Sequence, residues 1–127
     1  MAVAALGIEF VDRIKNELSE NRTHVEHAGD DPAALDIKQI FTFAHDMRGQ
    51  GGSFGYPLIS EIGGSLCHFI ESRDHSFQAD DITVLRAHLD AANAIISSAM
   101  SGEGDTVSRA LIDSLDALVR KQLTGQF

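Results

Sequence analysis

The stretch Phe41-Thr-Phe-Ala-His-Asp-Met-Arg-Gly-Gln-Gly-Gly-Ser-Phe-Gly55 joins an amphipathic helical pattern to a run of glycines, with one histidine at the junction. On a helical wheel turning about 100° per residue, Ile37, Ile40, Ala44 and Met47 gather on one side, centred about a third of a turn from His45. His45 is therefore expected at the edge of the core or outside it. Its own face carries Lys38, Phe41, Arg48, Gly49 and Gly52, two cations and an aromatic around two positions that have no side chain. Gly49 lies one turn after His45 and leaves the imidazole open to a large partner that must approach closely. A glycine inside a helix costs about 1 kcal/mol relative to alanine, so glycines gathered at the end of this one need an offsetting reason.

Working outward, every long segment reads as a helix. Prolines occur only at Pro32 and Pro57, and no strand-like alternation persists between the glycine clusters. A first helix is expected over roughly residues 6–28, with Ile8, Val11, Ile14, Leu18 and Val25 inward, stopping near Gly29. Asp31 and Pro32 form an N-cap and N1 pair from which a second helix should start. A third follows Tyr56 and Pro57, burying Leu58, Ile62, Leu66, Phe69 and Ile70. Asp80 or Asp81 can cap a fourth, whose stripe runs from Ile82 through Leu85, Leu89, Ala92, Ile95 and Ile96 to Ala99. Residues 101–104 break that helix, and Asp105 caps a fifth that carries Val107, Leu111, Leu115, Leu118 and Val119 inward before a tail over 124–127. The expectation is an all-α fold in one domain over 1–127. Helices two to five form an antiparallel up-down four-helix bundle, and the first helix is an addition packed across or alongside it.

Composition narrows the function. At 127 residues, 43% apolar and 23% charged, the chain can bury a core without disulfides or metal staples. The longest apolar run, residues 1–6, is too short to span a bilayer and has no basic segment before it, so it reads as neither a membrane anchor nor a signal peptide. A cytoplasmic location is expected, in keeping with the single cysteine, Cys67. A net charge of −9 repels phosphate backbones and anionic lipid, which argues against nucleic-acid and membrane partners. No Gly-x-x-x-x-Gly-Lys-Ser/Thr loop is present, so no nucleotide is assigned. His24 and His27 share a helix face without an evident third ligand, and His68, His75 and His88 are scattered, so no metal site is assigned either.

Ala44-His45-Asp46-Met47-Arg48-Gly49, followed by Gly55 and a helix ending Phe69-Ile70-Glu71, resembles the signature of histidine-containing phosphotransfer (HPt) domains of multistep phosphorelays. The match covers about residues 41–71. The resemblance implies that His45 is the phosphoacceptor, that Arg48 takes the place of the family's usual lysine, and that Gly49 gives access. It implies a phosphocarrier and not an enzyme in its own right, with no cofactor of its own: the receiver domain of a response regulator or hybrid kinase supplies the aspartate and a Mg²⁺ ion. Arg48 keeps the charge but offers a planar fork in place of a point charge. Cys67 stands where several family members carry a polar residue that supports the histidine, and a thiol is a weak donor.

The leading expectation is thus a monomeric module relaying a phosphoryl group between receiver aspartates through His45. Arg48, Gly49 and Lys38 support the phosphate or the partner, and Phe41, Gly52 and Phe54 serve as docking positions. The alternative is a helical adaptor that binds a receiver or kinase without being phosphorylated. A small-ligand or haem bundle would need a roomy core, of which the evenly Leu/Ile-rich stripes give no sign.

Overall fold

The computed structural model describes residues 2–73, 77–97 and 106–124. They form α1 (Ala2–Ala28), α2 (Ile37–Gln50), α3 (Pro57–Arg73), α4 (Ala79–Ser97) and α5 (Thr106–Thr124), with short 3-10 turns at Pro32–Ala34 and Gly52–Phe54. The all-helical fold expected from the sequence is what the chain adopts. The break over 101–104, the Asp105 cap, Ala99 and the final three residues lie outside the described residues, as do the side chains of Ile8 and Val107.

Polar contacts between neighbouring helices trace the architecture. Gln39 Nε2 donates to Asn21 Oδ1 at 3.3 Å and Arg13 pairs with Gln50, so α1 and α2 run antiparallel. Ser60 Oγ donates to the Arg48 carbonyl at 2.6 Å between α3 and α2. Ser65 meets His88 at 2.9 Å and Arg73 meets Asp81 at 3.0 Å, which sets α4 antiparallel to α3. Arg22 closes the ring by reaching Asp90 at 3.0 Å, α1 to α4. The four-helix ring is therefore α1 to α4. This corrects the expected allocation, in which helices two to five made the bundle and the first was added. The reason is the length of α1: its 27 residues carry Phe10, Ile14, Leu18 and Val25, all buried, along both α2 and α4. α5 instead lays Ile112, Leu115 and Val119 onto α3 and α4, with Arg109 paired to Glu61 at 2.6 Å.

Two helix starts differ from expectation. Asp31 does cap, accepting from Ala33 N at 3.0 Å, but what it caps is the 3-10 turn. Leu35 is extended (φ −83°, ψ 136°), and α2 begins afresh behind Asp36, whose Oδ1 accepts from Gln39 N at 3.0 Å. His24 Nε2 on α1 accepts the Asp36 backbone N–H at 2.7 Å, which anchors this second cap to the bundle. At α4 the helix begins at Ala79, and Asp81 reaches back to Gln78 N at 2.8 Å instead of standing outside as a cap. Its carboxylate is fully buried and also receives Arg73 and, at 2.9 Å, Gln122, tying α3, α4 and α5 together. A buried charge is tolerable when it is this fully hydrogen-bonded.

The tightest approach is between α2 and α3. A Cβ on Gly63 would stand 2.5 Å from Arg48 N, 2.6 Å from the Ala44 carbonyl and 2.9 Å from Met47 Cβ, so two helix backbones meet where a side chain cannot fit. A Cβ on Gly51 would likewise stand 2.6 Å from Ser60 N, whereas one on Gly49 would meet nothing within 4 Å. Among the described residues, no helix is long and apolar enough to cross a membrane.

Gly63→Ala should therefore cost about 2–3 kcal/mol or more by overpacking against backbone, while Gly49→Ala should be neutral or stabilising by up to about 1 kcal/mol. Urea midpoints of the two variants check the contrast.

His88 gives a second expected outcome. It is fully buried, with Nδ1 facing the Val84 carbonyl at 2.7 Å and Nε2 facing Ser65 Oγ. Burial pulls its pKa down, opposed by the Val84 hydrogen bond and by Asp116. The unfolded chain then binds this proton more readily than the folded one, so the contribution is complete above about pH 6.5 and is lost as pH falls below it. Denaturant midpoints should drop from about pH 7.5 to about pH 5.5, and His88→Gln, less stable at the upper pH, should drop less over the same interval.

Candidate functional site

α2 presents two opposed faces. Ile40, Phe43, Ala44 and Met47 are buried, while Lys38, His45, Arg48 and Gly49 are exposed. The alternation follows from the pin at Gly63: with the Ala44 carbonyl and Met47 Cβ turned onto α3, a residue about 100° further round must point outward. His45 thus stands in solvent in the middle of a well-packed helix. Among the described residues, no hydrogen bond engages its imidazole. Its ring neighbour is Phe41, one turn earlier, with centroids 6.4 Å apart and planes tilted by 39°.

The remaining expected positions fall into place unevenly. Lys38 is exposed two turns before His45 on the same face. Arg48 is exposed one turn after it, and its side chain lies along α3: a Cβ at Gly64 would sit 3.6 Å from Arg48 Cδ and 3.8 Å from Cγ. Gly64, which the sequence reading passed over, is thus the floor for the arginine stem. Gly52 is exposed with open space around it. Phe54 is half-buried and stacks on Phe10 of α1 with centroids 4.7 Å apart, and Arg13 caps the other ring at 5.6 Å. The turn around it depends on Gly55, whose φ of 88° is the left-handed conformation that glycine adopts without strain.

Cys67 lies fully inside the core, with no hydrogen bond to His45 among the described residues. Burial pushes its thiol pKa up, with the Arg48 charge opposing and Glu71 adding to the rise. It is a packing residue with weak nucleophilic character. His24, weighed above as half of a metal pair, instead holds the start of α2 through Asp36.

Two grooves flank α2. Toward α3, a groove of about 850 Å³ is lined by Pro32, Ile37, Phe41, Ile70 and Phe77, with Asp31, Lys38 and Glu71 as its charged residues. Toward α1, one of about 410 Å³ is lined by Glu17, Glu20, Asp36 and Asp46, again with Lys38. Glu17 Oε2 is buried there without a hydrogen-bond partner, and burial raises its carboxyl pKa against the opposing pull of Arg13, with Asp46 and Glu20 adding to the rise. The flank toward α3 is richer in apolar side chains and the flank toward α1 richer in acidic ones.

The chain gives no match among curated proteins or solved structures. A family model described as the Hpt domain matches residues 9–95, which takes in the ring helices α1 to α4 almost entire and leaves α5 beyond it. Hpt domains serve phosphorelays by histidine phosphotransfer and interact there with receiver domains. With a model covering well over half of its length, across the helix that exposes His45, this chain belongs to the Hpt domain family.

Proposed function

We propose that this protein relays a phosphoryl group between the aspartates of receiver domains, carrying it on His45. The observation that supports this most strongly is the exposed imidazole on a helix whose opposite face is locked into the core, within the span matched to the Hpt domain.

The chemistry needs little from the chain beyond position. A neutral imidazole nitrogen attacks the phosphorus of an aspartyl phosphate on the partner; an N–P bond forms, the acyl P–O bond breaks, and the aspartate leaves as a carboxylate. The reverse step at a second receiver reloads an aspartate. The transferring group carries charge on its oxygens, and Mg²⁺ held by the receiver neutralises most of it. Arg48, one turn from His45, adds a cation whose fork can contact two phosphate oxygens, and its stem on Gly64 limits how far it swings. Lys38 adds longer-range attraction for the phosphorylated partner. Gly49 keeps the space beside the imidazole clear, because docking must bring phosphorus to within about 3–3.5 Å of the nitrogen. The protein acts as a carrier; the aspartate and the metal belong to the partner.

Incubation with a phosphorylated receiver should place an acid-labile, base-stable label on the chain, and a folded His45→Gln variant should accept none. Transfer at wild-type level in that variant would end the reading. Mg²⁺-ATP without a receiver should give no label.

Gly49→Leu and Arg48→Ala should fail differently. The leucine fills the approach path, so receiver affinity and transfer rate both fall while the thermal midpoint holds or rises. The alanine removes charge and not space, so transfer slows by about 10- to 100-fold with a smaller change in affinity. Binding, single-turnover transfer and melting of both variants separate the two effects.

A further inference from the structure

The two flanks of α2 are chemically unequal, and a receiver cannot straddle them equally. Its phosphoacceptor site is acidic by necessity, because an aspartate and the carboxylates that hold Mg²⁺ converge there. The α1 side of α2 offers Glu17, Glu20, Asp36 and Asp46 to that site, and like charges brought together across an interface are costly. The α3 side offers Ile37, Phe41, Ile70 and Phe77 with two acidic residues, Asp31 and Glu71, against four on the α1 side; Lys38 borders both grooves, and the Arg48 stem lies along α3. Size points the same way. A specific interface covers about 800 Å² per partner, a patch of roughly 16 Å radius. A partner centred on His45 therefore reaches Ile37, about 12 Å away along the helix. The 3-10 turn beyond Gly51 lies equally near in sequence, but Phe54 is stacked on Phe10 and offers less apolar surface.

Resting on the function proposed above, we infer that the receiver docks off-centre. It leans from His45 toward the start of α2 and inserts apolar side chains into the groove between α2 and α3, which makes Ile37, Phe41 and Phe77 determinants of which receivers bind. The partner that fits has an acidic phosphoacceptor pocket with an apolar surface beside it.

The test compares two positions equally spaced about the histidine. Ile37 is eight residues before His45 and Ser53 eight after it, and each is replaced by glutamate. Affinities of wild type, Ile37→Glu, Phe41→Ala and Ser53→Glu are measured by calorimetry against a panel of isolated receiver domains in Mg²⁺, with circular dichroism to verify folding. Ile37→Glu and Phe41→Ala should each weaken binding by about tenfold or more, and Ser53→Glu by less than about threefold. Equal losses at Ile37 and Ser53, no loss at Ile37 and Phe41, or a wild-type chain that binds no receiver would overturn the inference. Phosphoramidate, a small donor that needs no docking, is applied to the same variants in parallel. Equal labelling in all four shows an intact acceptor. Failure to label wild type would instead remove the phosphoacceptor reading, while the affinities would still report on the groove.

Discussion

Backbone contact between α2 and α3 at Gly63 fixes the rest of this molecule. At that point the Ala44 carbonyl and the Arg48 amide lie within 2.6 Å of where a Cβ would stand, and the two helices bury Met47, Ile59, Ile62 and Leu66 around the contact. A helix pinned so closely has no freedom to rotate about its axis. The rotation so chosen turns Ala44 and Met47 inward and His45 and Gly49 outward, so a packing constraint on one face becomes the exposure of an imidazole on the other. Ser60 adds to the pin by donating to the Arg48 carbonyl, one of the acceptors left over at the end of α2.

The other end of α2 is held from α1. Asn21, itself buried, accepts from Gln39, and His24 accepts from the Asp36 backbone, so the first turn of the helix is stitched to its neighbour by side chains rather than by apolar packing alone. The result is a rigid rod with polar fastenings at one end and a glycine contact at the other. The phosphoacceptor role proposed for His45 calls for such a mount, because a misplacement of about 1 Å at the reacting atoms can cost a hundredfold in rate. The mount also separates the surroundings of His45 into a groove richer in apolar side chains toward α3 and one richer in acidic side chains toward α1, within a chain whose net charge is −9.

Much of this was legible from residue order, because helical periodicity reports directly on which face is buried. The stripe through Ile40, Ala44 and Met47 placed His45 outside correctly, and the stop of α1 at Gly29 follows from its left-handed φ of 60°. Ring membership was not legible. The stripes of α1 and α5 are both amphipathic, and periodicity cannot say which neighbour a stripe covers. The start of α2 was misassigned because two aspartates, Asp31 and Asp36, each make a competent cap, and the choice between them lies with His24, distant in sequence. Gly63 and Gly64 carried a signal that went unread: a glycine pair inside a helix, with Gly63 on the same face as Ile59, Ile62 and Leu66, marks close backbone approach. Had it been used, the contact with α2 and the bed for Arg48 would both have been expected.

The central claim concerns one atom among many that could carry phosphate, since the chain has six histidines. The most direct measurement locates the phosphoryl group after exchange with a phosphorylated receiver, by tandem mass spectrometry that preserves phosphoramidate bonds, on protein kept at neutral to alkaline pH. Phosphate should be found on His45 and on no other histidine. Phosphate found at His24, His27 or His68 with His45 unmodified would contradict it.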